Sequence, residues 1–326
     1  MSKVKAWFLL FRPWSYTATL VPFLFALALT GSAGGNSLIR WAVGLLSGML
    51  FQATVNLLNT WGDERSGVDN VPGAIRTTPQ VHEGLVSMRA VFTTAAICAV
   101  VAVALGLGLV FHEGPCWSLL GAGVLGALGA TNYSTGIKFK YRGLGVPFVA
   151  VLMGPLETFV AFAILNPSRA DACMLGLLRL EPFDVFTALA FLFLTFPIAA
   201  LVCIIMHGND MRDIPTDRAA GIKTVASILG PRRALWLYWF CHVGAYLPPL
   251  AMAVYDRFFG CGDLLSFSYL LPLLVLPLTV KTLCAATKVY RENPECPKWR
   301  GLERGSGGVH FVFGLLYALA FRLTLW

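Results

Sequence analysis

The chain has 326 residues, 57% of them hydrophobic and only 13% charged, with a mean hydropathy of +0.69. Soluble domains carry about a quarter of their residues as charges, so this composition excludes one and points to a membrane-embedded protein. The net charge of +8 could signal a nucleic-acid partner, but its distribution along the chain argues against that.

A membrane-spanning helix needs about 20 apolar residues. Nine segments qualify: 14–32, 40–60, 86–111, 116–133, 146–165, 184–206, 233–254, 264–287 and 308–325. The first begins only after Arg12-Pro13 and has no small-residue cleavage site, so it reads as a span and not as a cleaved signal. Interior prolines such as Pro155, Pro197 and Pro272 are tolerated in membrane helices, and the Gly- and Ala-rich 113–130 region suits close helix packing. The GSGG run at 305–308 reads as a loop, too short and misplaced to hold a phosphate. The eight cysteines are scattered without a CxxC pair, which leaves no zinc spacing.

Nine spans put the termini on opposite sides of the membrane. With the N-terminus inside, the inner segments hold nineteen of the twenty-five Lys and Arg residues, while the outer segments keep Arg40, Arg169, Arg179, Arg257 and Arg322. That bias sets the N-terminus in the cytoplasm and accounts for the basic charge without nucleic acid. The expected location is the plasma (inner) membrane of a prokaryote.

Polar motifs follow the second and sixth spans, and both fall on the inner side. In HGNDMRDIPTDRAAGIKTVASIL, Asn209, Asp213 and Asp217 stand four apart. Each step of four turns a helix by only about 40°, so the three form one stripe. The upstream NTWGDERSGVDN repeats the pattern more loosely: Asn59 and Asp63 share a face, and Asp69 rejoins them only if the helix breaks near Ser66-Gly67. On this basis spans one to four and five to eight are expected to be diverged repeats. Acidic stripes at the mouths of apolar helices point to a divalent-metal site. Arg65 and Arg76 follow the first motif, Arg212 and Lys223 belong to the second, and Lys138, Lys140 and Arg142 occupy another inner loop. Acids and bases converging on one face fit a metal-bridged polyphosphate, because Mg²⁺ favours a few carboxylates plus phosphate oxygens and Arg or Lys neutralises the rest. A rival reading, an ion-coupled transporter, would place its acids near the bilayer centre.

Four stretches resemble the UbiA superfamily of membrane prenyltransferases: LFRPWSYTATLVPFLFALA, NLLNTWGDERSGVD, YSTGIKFKYRGLG with the following GPLE, and HGNDMRDIPTDRAAGIKTVASILG. The wide Asp63–Asp69 spacing is similar to the branch that prenylates 1,4-dihydroxy-2-naphthoate in menaquinone biosynthesis. The resemblance implies an all-α fold, a single polytopic domain over 1–326 with nine transmembrane helices in a helical barrel around a central cavity. It implies that Asp63, Asp69, Asp213 and Asp217 hold Mg²⁺ on a polyprenyl diphosphate, supported by Asn59 and Asn209. Lys138, Arg142, Arg212, Lys223, Arg65 and Arg76 are the diphosphate candidates, and Tyr133, ending the fourth span, matches a tyrosine near the reacting carbon. The implied reaction transfers the prenyl group to an aromatic acceptor, 1,4-dihydroxy-2-naphthoate or a ring such as 4-hydroxybenzoate or homogentisate. Two positions depart from the family pattern. Val146 replaces the Asp that commonly follows Gly-Leu-Gly, and Glu157 stands inside a span where a neutral residue is expected. With His207 they are the acceptor-pocket candidates.

Overall fold

The structure is a computed structural model that describes residues 2–30, 34–66, 81, 83–112, 114–260 and 264–324, with the backbone alone for Asp63, Leu264 and Leu265. Among the described residues the regular elements are all helical. The N-terminal helix α1 (Lys3–Phe11) starts at Ser2, whose hydroxyl accepts the Lys5 N–H, and stops at Arg12, which is left-handed at φ 51° just before Pro13. After it come α2 (Thr17–Thr30), α3 (Gly35–Ser66), α4 (Met88–Phe111) and α5 (Trp117–Tyr133). The helix α6 (Gly145–Val151) passes through a π turn at Leu152–Leu156 into α7 (Glu157–Leu165), followed by α8 (Pro167–Leu178) and α9 (Pro182–Ala219). The chain ends with α10 (Val225–Gly244), α11 (Leu247–Phe259), a 3-10 helix (Leu264–Val275), α12 (Leu276–Glu292) and α13 (Leu302–Thr324).

Eight described helical segments are long and apolar enough to cross a membrane. The ninth expected span is α5, which has 17 residues; at 1.5 Å per residue it is about 25 Å long, against about 30 Å of hydrocarbon. The seventh span is two helices, α10 and α11, with the break before Pro248-Pro249. The GSGG run, expected as a loop, lies inside α13. Gly305 serves packing there: a Cβ on it would come within 3.1 Å of Thr282 on α12, the small-residue contact that membrane helices use.

The spans pack on one another in chain order, and α13 packs back on α2, so the order closes into a ring. That closure rests on Phe25, stacked on Tyr317 at 4.8 Å between centroids with Phe321 edge-on at 5.2 Å, and on Gly314, which leaves no room for a Cβ against Val21. Inside the ring, α7 touches α2 and α3, and α9 touches α13. The start of α5 is held by α8: Asp171 accepts from the Ser118 N–H at 2.8 Å and the Trp117 N–H at 3.2 Å, as a helix N-terminus favours. Burial pushes the Asp171 carboxyl up, but the hydrogen bonds from Ser118, Trp117 and Cys116 outweigh it and hold the group below the usual carboxylate range.

Candidate active site

The two motifs lie at one end of the ring because their helices overrun the membrane. The 38 residues of α9 make about 57 Å of helix, nearly twice the hydrocarbon thickness. Its last third therefore carries the polar motif beyond the apolar wall. The helix α3 ends at the same side with Asn59, Gly62 and Asp63 in its final turns.

The loop between α5 and α6 joins these helices. Buried Asn59 accepts through Oδ1 from Ser134 Oγ at 2.6 Å and from Lys140 Nζ at 3.2 Å. Gly62 permits this approach, since a Cβ there would sit 3.1 Å from the Ser134 carbonyl. Lys140 also lies within electrostatic reach of Asp210 on α9, so its ammonium bonds to the first motif and favours the charged form of an acid in the second. Tyr133, buried beside Ser134, turns its hydroxyl toward Gly145 at the start of α6.

On α9, Arg212 holds Asp213 in a two-pronged pair, Nε–Oδ1 at 2.7 Å and Nη2–Oδ2 at 2.6 Å, and donates through Nη1 to Asn209 Oδ1 at 3.3 Å. Asp217 is buried and accepts from Thr224 Oγ1 at 2.8 Å; the same Thr224 caps α10 by accepting the Ser227 N–H. Arg218 donates to the Ser227 carbonyl, and the Lys223 N–H to the Tyr141 carbonyl, so the turn after α9 is strapped to both α10 and the α5–α6 loop. Gly208 lets α13 approach, with a built Cβ only 3.2 Å from the Glu303 N. That brings Glu303 within electrostatic reach of Arg212.

The expected site residues therefore separate. Asn59, Asn209, Arg212, Asp213, Asp217 and Tyr133 are brought to one end of the ring. The backbone of Asp63 lies there too, one turn beyond Asn59, while Asp69 and Arg76 lie outside the described residues. The side chains of Lys138, Arg142 and Lys223 are exposed, and Lys138 is left-handed at φ 59° where the short 3-10 turn Phe139–Tyr141 begins. It is Lys140, two residues on, that reaches Asn59. Arg65 is exposed and lies over the Trp61 ring at 4.7 Å. Val146 is buried in the largest apolar core, with Ile204 and Met211. His207 is buried against α10, with Nε2 2.9 Å from the Ala234 carbonyl oxygen and Nδ1 without a partner. Glu157 packs near Gly48 of α3, 3.7 Å from the position of a Cβ there. Gly48 is eleven residues from Asn59 on α3, so Glu157 lies about 16 Å deeper in the bundle. Its Oε2 and the nearby Thr19 Oγ1 are buried without partners.

Two residues were missed from sequence. Asp210 is buried to 7% exposure and shares its surroundings with Lys140, Asp213 and Asp217. Helix phase could have found it: it stands about 100° from Asn209 but only about 20° from Asp217, so the pair shares a face. Lys140 had no such signal, because only the fold of its loop separates it from Lys138 and Arg142. No group of three His, Cys, Asp or Glu side chains spaced for a metal ion forms among the described residues, which exclude the Asp63 side chain and Asp69.

These features define a polytopic helical membrane protein with carboxylates and cations gathered where two overlong helices end. The model of the UbiA prenyltransferase family matches residues 19–300, and the chain belongs to that family of membrane prenyltransferases. It is 30% identical over 333 residues to UbiA prenyltransferase domain-containing protein 1 of Gallus gallus, covering 99% of this chain and 86% of that protein. To the Homo sapiens protein of the same name it is 29% identical, covering 98% and 85%. The fold is similar to that of a UbiA homolog from Archaeoglobus fulgidus bound to GPP and Mg²⁺, with a TM-score of 0.57, 17% identity, and coverage of 97% and 99%. A UbiA homolog from Aeropyrum pernix K1 gives a TM-score of 0.62 at 14% identity, covering 94% and 97%. The superfamily that the motifs resemble is thus borne out, while these relatives do not single out the naphthoate branch within it.

Proposed function

We propose that the whole chain acts as one domain that transfers a polyprenyl group from an allylic polyprenyl diphosphate to an aromatic acceptor, 1,4-dihydroxy-2-naphthoate, in menaquinone biosynthesis. The observation that supports the transfer reaction is the placing of Lys140 between the motif helices, hydrogen-bonded to Asn59 and within electrostatic reach of Asp210. Solved structures of similar fold, each of a UbiA homolog from Archaeoglobus fulgidus, are bound to GPP and Mg²⁺ in one case and to DMAPP and Mg²⁺ in the other. The donor chemistry here suits such a cation: Asp210, Asp213 and Asp217 carboxylates with Asn59 and Asn209 amide oxygens are hard oxygen donors of the kind Mg²⁺ takes, although the three carboxylates alone are not spaced around one ion. Asp63 and Asp69 complete the proposed set. When bound, Mg²⁺ neutralises charge on the departing diphosphate.

Lys140 and Arg212 do the same work from the protein side, with donors placed before the charge develops. Arg212 holds Asp213 and Asn209 in a fixed geometry. Tyr133, buried at the end of α5 with its hydroxyl toward Gly145, is the side chain proposed to stand near the reacting carbon. The apolar ring behind the cluster keeps water from the allylic cation. The C–O bond breaks with its electron pair leaving on diphosphate, an acceptor ring carbon then forms the new C–C bond with the allylic cation, and the ring regains aromaticity as that carbon gives up its proton to the released diphosphate or to water. The naphthoate assignment rests on the Asp63–Asp69 spacing alone. The basic inner segments support a cytoplasmic N-terminus and active site; the relatives by sequence named above are animal proteins, so the proposal keeps the orientation and not the prokaryotic membrane.

The test is purified protein in detergent with labelled geranylgeranyl diphosphate, Mg²⁺, and 1,4-dihydroxy-2-naphthoate, 4-hydroxybenzoate or homogentisate. Prenylated naphthoate product supports the full assignment. Product on another ring alone moves the acceptor, and no Mg²⁺-dependent product with any acceptor overturns the catalytic reading.

A further inference from the structure

Away from the motif cluster, a groove of about 540 Å³ opens between α10 and α12, lined by Trp239, Cys284, Thr287, Lys288, Arg291 and Glu292. Its polar floor is closed on itself, because Trp239 Nε1 donates to Thr287 Oγ1 at 3.0 Å. Its flanks are apolar and exposed: Trp236, Phe240 and Val243 on α10 and Val280 on α12. On α10 the buried Tyr238 and Ala234 face the bundle, so this wall faces lipid.

The two ends of the groove differ. Lys288 and Arg291 are exposed in the last turns of α12, at the level where the chain turns back and Trp299 Nε1 donates to the Ala286 carbonyl. Arg232 stands on the same face of α10 as Trp239, about 10 Å nearer that end. Long basic side chains with their heads at the interface and their stems on apolar surface are the arrangement that holds charge at a membrane boundary. The lining contributes two cations and one acid, Glu292, so a net positive charge meets whatever headgroup lies there.

We propose that this groove binds an anionic phospholipid, with its phosphate on Lys288 and Arg291 and an acyl chain along Trp236, Phe240 and Val243. A zwitterionic headgroup carries its own ammonium toward the same two cations and gains less. The site lies on the lipid face of α10, away from the Asn59–Lys140–Asp210 link, and its occupancy does not depend on which acceptor the enzyme uses.

Native mass spectrometry of the purified full chain reads the inference directly, after incubation with phosphatidylglycerol or phosphatidylcholine at equal concentration. Phosphatidylglycerol is retained in preference. The double variant Lys288→Gln with Arg291→Gln weakens its apparent affinity roughly 30-fold, from the usual contribution of a basic residue near a membrane surface. Glu292→Gln acts in the opposite sense and tightens retention by roughly fivefold. Equal retention of the two lipids, or a double variant that holds phosphatidylglycerol as the parent does, overturns the proposal. Displacement of the lipid by inorganic phosphate at matched concentration would assign the groove to soluble phosphate and equally overturn it.

Discussion

Replacing Lys140 by Met isolates the link between the two motif helices. The substitution keeps the length of the side chain and its apolar stem but removes the ammonium that donates to Asn59 Oδ1 at 3.2 Å and faces Asp210. A hydrogen bond to a charged group contributes about 1.5–3 kcal/mol. If the ammonium acts on charge that develops only as diphosphate departs, that energy is lost from the transition state. The expected fall in kcat/KM is then about 10- to 150-fold, at roughly tenfold per 1.4 kcal/mol. The natural control is Lys138→Met, which removes an exposed cation two residues away and should leave kcat/KM within about twofold. The assay is initial-rate release of diphosphate from labelled geranylgeranyl diphosphate in detergent, with saturating Mg²⁺ and acceptor. Equal losses in the two variants would refute the specific role of Lys140 and reduce the loop to a general positive field. Full activity in Lys140→Met would refute the link altogether.

Glu157→Gln should leave diphosphate release within about twofold of the parent, because Glu157 lies some 16 Å deeper than Asn59 by helix rise; a loss beyond tenfold would place it in the chemistry. Gly62→Val should cost activity through position, since its side chain would press on the Ser134 carbonyl 3.1 Å from the Cβ position; parallel loss of kcat and of thermal stability distinguishes this from a charge effect. Asp171→Ala removes a helix cap and should lower stability by about 1 kcal/mol at neutral pH, read as a lower melting temperature in detergent. Because the folded-state pKa of Asp171 is depressed, its contribution is present above the unfolded value and lost as pH falls through the folded one. The gap between parent and variant should therefore close only in acid, below the usual carboxylate range. A gap that persists unchanged well below that range, where the carboxyl is protonated in the folded protein too, would refute the charged cap.

The helical ring was legible because membrane spans are set by length and apolarity, which a sequence shows directly. Its exceptions have local causes. The run at 305–308 looked like a loop because four small polar residues carry no hydrophobic signal, yet Gly305 among them is what lets α13 lie against α12. The π turn at 152–156 was invisible for the opposite reason, since the stretch is uniformly apolar. At the site, spacing of four found Asn209, Asp213 and Asp217 but treated the stripe as the whole answer. The buried face of α9 runs through His207, Met211 and Ile214, and Asp210 and Asp217 stand at its edge on the side of Asp213 and Asn209. The loop cations were least legible, because a left-handed residue at 138 and one 3-10 turn decide which of Lys138, Lys140 and Arg142 points inward.

Where the charge lies also separates catalysis from transport. Transporters hold their ions near the bilayer centre on interrupted helices, with broken ends aimed at the substrate. Here α9 runs unbroken through its polar turns, even across Pro197 and Pro215, α3 continues through Asn59 and Asp63 to Ser66, and Asp213 and Asp217 stand past the apolar span. The interruption in the bundle falls elsewhere, at the π turn beside Glu157, about 16 Å from Asn59. A polar cluster at the helix ends with an apolar ring behind it matches an amphiphile lying along the helices, its charged head at the cluster and its tail in the bundle. An allylic polyprenyl diphosphate has that shape, and its reacting carbon lies where head and tail meet. On the function proposed above, that carbon falls near Tyr133 and Ser134, and the proposed acceptor ring arrives there.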